Sequence, residues 1–235
     1  MTILLLETAT PTCSAAIDTD GAIVAERHSS DPNAHSTRLS VFVDEMMKEA
    51  QLSPSNLDAV CVSSGPGSYT GLRIGVSAAK GFCYALGIPL LSVPTPKSMA
   101  ALYFAKHPDY QGLVCPMIDA RRMECYTALY RRSDIDGLVE EVREIRADIV
   151  EPHLYDEYLD AGEVCFVGDG AEKTRPLLSV HPNARYVADF AIAAEGMSRL
   201  AHAALANHVF ENVAYFEPFY LKDFVAKKSI VRGLY

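Results

Sequence analysis

The chain has 235 residues, a formal net charge of −9, 49% hydrophobic residues and 22% charged residues, a balance typical of a globular protein with a sizeable core. No apolar run approaches the ~20 residues of a membrane span, and the short N-terminal apolar run fits a buried strand better than a signal peptide. Binding nucleic acid unaided requires a basic face, and the basic residues here are scattered, so direct nucleic-acid binding by this chain alone is disfavoured.

The first part of the chain predicts three strands followed by alternating helices and strands. TILLLET is typical of a buried strand, and two β-like runs flank the hairpin signal Thr19-Asp20-Gly21. Apolar residues spaced i, i+3, i+4, i+7, i+8 and i+11 then predict an amphipathic helix over 36–50. The predicted order continues with the strand LDAVCVSS, the helix GLRIGVSAAKGFCYALG, the strand IPLLSVPT and the helix PKSMAALYFAKH.

The second part of the chain repeats this order. The predicted strands are GLVCPMID, MECYTALYRR and GLVEEVREI, with a turn in SDIDG between the last two. The helices EPHLYDEYLDA, GAEKTRPLLSV and DFAIAAEGMSRLAHAALANH then alternate with the strands EVCFVG and ARYV. A βββαβαβα order that occurs twice predicts a duplicated α/β protein, with one lobe over 1–107 and a second over 108–235. The aromatic segment YFEPFYLKDF is expected to pack back on the body.

A glycine-rich turn follows the fourth predicted strand, in SSGPGSYTGLRIG. A strand that leads through such a turn into a helix N-terminus is favourable geometry for binding phosphate, which makes Gly65, Gly67, Ser68 and Thr70 candidate nucleotide contacts. The turn lacks the Lys-Ser/Thr of a phosphate-binding P-loop, and Thr70 stands where a dinucleotide fingerprint requires a third glycine. The sequence therefore makes this turn a weak candidate for a phosphate site.

The helix after this turn carries small residues at four-residue spacing, namely Gly71, Gly75 and Ala79. A helix containing glycines must be held by packing, because each glycine costs up to ~1 kcal/mol relative to alanine. The flat face indicates either close packing inside the domain or an interface with a partner helix, and the sequence leaves both open. The methionine-rich stripe of the 36–50 helix is most simply core, although methionine is also frequent at binding surfaces.

Signals for catalysis or metal binding are weak. His28 and His35 belong to neither an HExxH nor an HxxxH motif, and no GxSxG nucleophile elbow is present. Glu7 and Asp119 end the first strand of each half, as acids do in actin-like ATPases, but the loops TATPTC and ARRMEC lack phosphate-wrapping glycines. The cysteines lie mostly in apolar runs and form no CxxC pair, so we expect buried, reduced thiols in a cytoplasmic protein.

Four blocks in order resemble the TsaB (YeaZ) family of bacteria: LLLETATPTCSAAI, SSGPGSYTGLRIGVSAAKGFCYALGIPLLSVPT, MIDARRMECYTALY and EPFYLKDF. The resemblance implies a duplicated actin-like (ASKHA, ribonuclease H-like) two-lobed α/β fold. It also implies a non-catalytic partner subunit in the installation of threonylcarbamoyl on adenosine 37 of tRNAs that read ANN codons. A TsaD-like subunit would perform the transfer, a TsaE-like ATPase would join it, and ATP and metal would be bound by those partners. This chain would then have no catalytic residue and no metal, would contact tRNA indirectly, and could pair with itself when alone.

The resemblance places the partner interface on two N-terminal-lobe helices. Its residues would be Ser36, Leu39, Phe42, Val43, Met46, Met47, Gly71, Leu72, Arg73, Gly75, Val76 and Ala79, with Arg73 as the best polar hot spot. Lys222 departs from the more usual Tyr-Leu-Arg ending of the family. Two alternatives remain, a glycopeptidase-like metallohydrolase and a nucleotide-binding regulator. Whether the pairs Arg121/Arg122 and Arg131/Arg132 touch tRNA is also open.

Overall fold

Two five-stranded sheets organise the chain, and a computed structural model describes residues 1–133 and 138–222. The first sheet has the order β3-β2-β1-β4-β5 and consists of β1 (Thr2–Glu7), β2 (Cys13–Thr19), β3 (Ala22–Ser29), β4 (Ala59–Gly65) and β5 (Leu90–Pro94). The second has the order β10-β9-β6-β7-β8 and consists of β6 (Leu113–Asp119), β7 (Glu124–Arg132), β8 (Val139–Ile149), β9 (Val164–Val167) and β10 (Ala184–Tyr186).

Each sheet combines an antiparallel meander with parallel strands. In the first sheet β1, β2 and β3 pair antiparallel, and β4 and β5 extend the sheet from β1 in parallel. In the second sheet β6, β7 and β8 form the meander, and β9 and β10 are the parallel strands. The predicted duplicated α/β fold is therefore confirmed. The predicted hairpin is also present, because Asp20 and Gly21 both have positive φ, as a two-residue hairpin turn requires.

Helices cover both faces of the first sheet, which is why β1 is buried along its whole length. On one face α1 (Ala34–Glu49) and α2 (Tyr69–Leu86) pack over the β1 side chains Leu4 and Leu6. On the other face a short 3-10 helix (Ala194–Met197) and α6 (Ser198–Ala206) pack over Ile3 and Leu5.

The final helices of the two halves cross between the sheets. The last helix of the first half, α3 (Thr95–Lys106), packs on the second sheet through Ala100, Tyr103 and Phe104. The last helix of the second half, α6, packs on the first sheet, as described above. The other face of the second sheet is covered by α4 (Asp156–Ala161) and α5 (Ala171–Leu178). Each half therefore completes the hydrophobic core of the other.

Two helices are shorter than the sequence pattern predicts. The segment 151–161 becomes helical only at Asp156, after His153 takes a positive φ. The segment 189–208 begins with Asp189 at positive φ and forms regular α-helix only over Ser198–Ala206. A left-handed residue cannot continue a right-handed helix, so the first of these predicted helices loses its first turn. In the second, the backbone is still extended at Ala193, and helical structure begins only with the 3-10 helix at Ala194. Most of the predicted turn in SDIDG lies at 134–137, outside the described residues.

The segment after α6 returns to the first lobe. The Glu211 amide donates to the carbonyl oxygen of Leu90 (2.8 Å), and Lys80 Nζ donates to the carbonyl oxygens of Ala214 and Phe216 (both 3.1 Å). Farther along, the Phe219 amide donates to the carbonyl oxygen of Ser64 (2.7 Å). This segment thus follows the edge strand β5 and α2 and ends at the C-terminal end of β4.

Candidate functional site

The glycine-rich turn packs against the loop that follows β1. An ideal Cβ atom on Gly67 would lie 2.8 Å from Cβ of Ala9. One on Gly71 would lie closer than 3.0 Å to the carbonyl oxygen of Thr8, and one on Gly75 would lie equally close to Oγ1 of Thr8. No side chain fits at such distances, so these three glycines allow α2 and the β1–β2 loop to approach each other within the chain.

The remaining residues of the turn fix its shape and its exposure. Gly65 has φ +106°, and an added Cβ would lie 2.7 Å from the carbonyl oxygen of Phe219. The Ser68 hydroxyl caps α2 by accepting from the Gly71 amide (3.3 Å), and the Ser68 amide donates to the carbonyl oxygen of Ala9 (2.7 Å). Gly67, Ser68 and Thr70 line an open cleft, whereas Gly65 lies against the C-terminal segment. Phosphate binding by this turn stays a prediction.

Most residues of the predicted partner interface lie in the core of this chain. All of them except Ser36 and Arg73 are buried. Leu39, Phe42 and Met46 pack between α1 and the first sheet. The buried residues thus hold α1 and α2 in position, while contact with a partner requires the outer faces of the same helices. Partner binding by these helices stays a prediction.

The outer faces of α1 and α2 expose residues that the sequence pattern did not select. Val41 is 40% exposed on α1, and Tyr84 is 86% exposed on α2. Ser77 and Gly81 lie in the same stripe as Tyr84, at four-residue and three-residue spacing. A Cβ added at Gly81 would have no heavy atom within 4 Å, so close packing inside the chain does not require this glycine. The outer stripe of α2, formed by Ser77, Gly81 and Tyr84, therefore carries two small residues followed by an aromatic one.

A cleft of about 630 Å³ opens between the two sheets. Its first-lobe wall comes from the loop after β1, the start of α2 and His35 of α1. Its second-lobe wall comes from the β6–β7 turn, Tyr126 and Asp169, and Phe219 to Lys222 form a third side. The volume falls within the ~300–1,000 Å³ range of small-molecule sites.

Glu7, the acid that ends β1, is fully buried and does not line the cleft. Burial raises its pKa to about 7, although its Oε1 accepts from the Ala9 amide (2.7 Å) and the Ser63 hydroxyl (2.9 Å). Its Oε2 has no hydrogen-bond partner among the described residues. Glu7 therefore acts as a hydrogen-bonding anchor for the β1–β2 loop and is not positioned to bind a ligand in the cleft.

Asp119, the corresponding acid of the second half, lines the cleft but is already paired. Lys173 Nζ forms an ion pair with it, and the Arg121 amide donates to its Oδ1 (2.7 Å). Burial alone would raise the pKa of Asp119, but the ammonium and the amide together hold it below the usual value. Asp169 lies beside it and accepts from the Asp119 amide (3.1 Å), and burial raises the pKa of Asp169. A lysine ammonium thus occupies the position beside this acid.

The histidines and cysteines have structural contacts. His35 Nε2 donates to the carbonyl oxygen of Thr10 (2.9 Å), which joins α1 to the β1–β2 loop. All the cysteines are buried free thiols, as predicted, and burial raises the pKa of Cys13 to about 11. Within residues 1–133 and 138–222 there is no group of three or more His, Cys, Asp or Glu side chains that could hold a metal ion. In the same residues no helix is long and apolar enough to cross a membrane.

Comparison with known proteins relates the whole chain to one group. The family model described as "TsaD: tRNA N6-adenosine threonylcarbamoyltransferase" matches residues 23–233. The tRNA threonylcarbamoyladenosine biosynthesis protein TsaB of Escherichia coli is 30% identical over 233 residues, which are 98% of each chain. TsaB of Bacillus subtilis is 36% identical over 142 residues, 60% of this chain and 59% of that protein. The structure of YeaZ from Pseudomonas aeruginosa superposes with a TM-score of 0.82 at 26% identity, over 94% of this chain and 99% of that one.

Proposed function

The chain belongs to the TsaB (YeaZ) family of tRNA threonylcarbamoyladenosine biosynthesis, and we propose that it acts there as a non-catalytic partner subunit. In this role it binds and positions a TsaD-like catalytic subunit. That subunit installs threonylcarbamoyl on adenosine 37 of tRNAs that read ANN codons. A TsaE-like ATPase joins the pair, and ATP and metal are bound by the partner subunits.

The outer stripe of α2 is the observation that carries this proposal. Gly81 interrupts the helix with a residue that costs up to ~1 kcal/mol relative to alanine, yet space for a side chain is open around it. A glycine at the surface of a helix allows the backbone of a second helix to approach closely. Tyr84, at the end of the stripe, is a residue type enriched at binding hot spots. The same stripe could pair two copies of this chain when no partner is present.

The state of the two acids supports the non-catalytic part of the proposal. Glu7 is buried within the first lobe, and Asp119 is paired with Lys173, so neither is available to a bound metal–nucleotide. The glycopeptidase-like alternative requires a set of metal ligands. Among the described residues nothing supports it, because no such cluster is found there.

Nucleotide binding in the cleft is the second candidate, and the cleft volume together with the start of α2 favours it. The facing wall opposes it, because Asp119 and Asp169 present carboxylates where phosphates would lie. Calorimetric titration with ATP and ADP, with and without a catalytic partner, tests this candidate. Heat of binding to the isolated chain would support it, and its absence in both settings would exclude it.

Reconstitution tests the main proposal. We expect the purified chain alone to modify no tRNA, and we expect modification by a TsaD-like and a TsaE-like protein to be lost when this chain is omitted. The Gly81→Arg variant should fold, because the added side chain enters open space, but it should fail to co-purify with the TsaD-like protein. Ala161→Arg on the exposed end of α4 is the matched control and should bind normally. Modification by the chain alone, or equal binding by both variants, would contradict the proposal.

A further inference from the structure

Most arginines in the described residues are held by acceptors of this chain. Ion pairs with carboxylates engage Arg27, Arg131, Arg143, Arg146, Arg175 and Arg185. Arg132 donates to the carbonyl oxygens of Phe104 (2.8 Å) and His107 (3.2 Å). The guanidinium groups of Arg131 and Arg132 therefore both bind acceptors of this chain.

Another group of arginines has no such acceptor. Within residues 1–133 and 138–222 the guanidinium groups of Arg38, Arg73, Arg121 and Arg122 make no hydrogen bond or ion pair. Arg121 lines the interlobe cleft, and Arg122 follows it in the same turn. Arg73 lies over the ring of Tyr69, which also lines the cleft, with 4.7 Å from its Cζ to the ring centroid. Arginines that form no ion pair thus stand on both lobes near one cleft, although Arg121 lies close enough to Asp119 to contribute to the lowered pKa of that carboxyl.

The turn between β6 and β7 holds its arginines in an unusual backbone conformation. Arg121 has φ 74° and Arg122 has φ 53°, values that glycine and asparagine adopt more readily than arginine. The turn is closed by hydrogen bonds from the Ala120 amide to the Glu124 carbonyl (3.1 Å) and from the Glu124 amide to the Arg121 carbonyl (3.2 Å). Both arginine side chains are exposed. Strained backbone that presents exposed functional side chains is a recurrent property of binding sites.

Aromatic side chains lie near these arginines. Tyr69, Tyr126, Phe219 and Tyr220 all line the cleft. The rings of Tyr69 and Tyr220 lie 5.0 Å apart, and Arg73 covers Tyr69 as well. Aromatic rings that stack on bases, next to arginines that contact phosphates, are the recognition chemistry of unpaired RNA.

We propose that the mouth of the interlobe cleft, formed by Arg73, Tyr69, Tyr126, Arg121 and Arg122, contacts an unpaired strand of RNA. The inference rests on the proposed function, in which tRNA is the substrate of the complex. The carboxylates of Asp119 and Asp169 line the cleft and disfavour a phosphate inside it, whereas Arg73 and Arg122 are exposed and do not line it. A strand that passes along the rim satisfies this charge distribution better than a single nucleotide that enters the cleft.

Fluorescence anisotropy of the full chain with a fluorescein-labelled RNA stem-loop, over a range of salt concentrations, tests the inference without any partner protein. We compare Arg121→Ala/Arg122→Ala with Arg146→Ala/Arg185→Ala, which removes the same charge from exposed, paired positions of the second lobe. Loss of two phosphate contacts should make the negative slope of log K against log salt shallower by about 1.4. Two chains with equal affinity at about 1 M salt would then differ roughly 25-fold in affinity at about 0.1 M salt, with the variant the weaker. The control pair should leave the slope unchanged.

Two further variants separate binding from folding. Arg121→Gly/Arg122→Gly suits the positive φ of the turn and should weaken binding as much as the alanine pair. Tyr126→Leu should weaken binding about fivefold or more without changing the salt slope, because stacking on a base is not electrostatic. No binding by the unmodified chain at low salt, equal losses in both arginine pairs, or equal affinity for a fully paired RNA duplex would overturn the inference. Such a result leaves the Gly81→Arg co-purification test unaffected, so the two proposals fail separately.

Discussion

Replacing Gly71 by alanine should destabilise the chain, because the close approach of α2 to the β1–β2 loop leaves no room for a methyl group. The added Cβ would lie closer than 3.0 Å to the carbonyl oxygen of Thr8 and 3.3 Å from its carbonyl carbon. Ordinary contacts of a Cβ atom begin near 3.4 Å, and the obstacle is backbone, so the loop or the helix must shift. Overpacking of a well-packed site costs typically ~1–3 kcal/mol. Because the obstacle is backbone, we take the upper end of this range, ~3 kcal/mol; alanine regains up to ~1 kcal/mol of helix propensity, which leaves a net loss of about 2 kcal/mol.

Gly81→Ala, ten residues later in the same helix, is the matched control for this prediction. Its new methyl group meets no atom within 4 Å, so it should keep the full propensity gain of up to ~1 kcal/mol. For a chain of this size 1 kcal/mol corresponds to about 2–4 °C in Tm. We therefore expect Gly71→Ala to lower the Tm by about 4–8 °C and Gly81→Ala to raise it by about 2–4 °C in thermal unfolding followed by circular dichroism. Shifts of the same sign in both variants would refute the assignment of Gly71 to internal packing.

Three other perturbations probe the acids and the C-terminal segment. Burial raises the pKa of Glu7 to about 7, so the folded state holds this proton more tightly than the unfolded state, and stability falls as the pH rises from 4.5 to 7. Glu7→Gln should abolish that slope and be more stable than the natural chain at pH 8 by up to about 3 kcal/mol; a pH-independent difference between the two unfolding free energies would contradict this. Gly65→Ala should displace the carbonyl of Phe219, seen as faster hydrogen exchange of the Phe219 amide, and unchanged protection would argue against this contact. Lys173→Met should raise the pKa of Asp119 in an NMR titration, and an unshifted carboxyl signal would exclude the ion pair as the cause.

The order of helices and strands was predictable from the sequence because it depends on local patterns. The period of the apolar residues in 36–50 identifies the buried face of α1, and Leu39, Phe42 and Met46 do lie in the core. The doubled βββαβαβα order likewise identifies the duplicated sheets. The helix starts at 151 and 189 were wrong, because a left-handed residue (His153) and an extended residue (Ala193) interrupt helical geometry without disturbing the apolar pattern.

The roles of the glycines were not predictable, because each depends on a segment that is distant in the chain. Gly71 and Gly75 lie on one face of α2 and Gly81 on another, but the sequence alone does not show which face packs inside the chain. Thr8 blocks any side chain at the first two, whereas space is open around the third. A glycine whose neighbouring space is filled by this chain is required for internal packing. A helical glycine with open space beside it is not, and it indicates a surface that a partner could approach. By this criterion we propose that a partner contacts the outer stripe that contains Gly81, while the interface predicted at Gly71 and Gly75 stays a prediction.

The roles of the two arginine pairs likewise depend on contacts with segments that the sequence pattern does not identify. Arg121/Arg122 and Arg131/Arg132 are ten residues apart on neighbouring parts of one hairpin, and their sequence contexts are equally basic. Pairing along β7 and β8 brings Glu140 to Arg131, while the carbonyls at the end of α3 accept from Arg132. The turn at Arg121 and Arg122 joins β6 to β7, and within the described residues neither guanidinium group forms a hydrogen bond or an ion pair, although Arg121 contributes to the lowered pKa of Asp119. The proposed RNA contact could not be inferred from the net charge, because it depends on which arginines form no ion pair and on whether they share one surface.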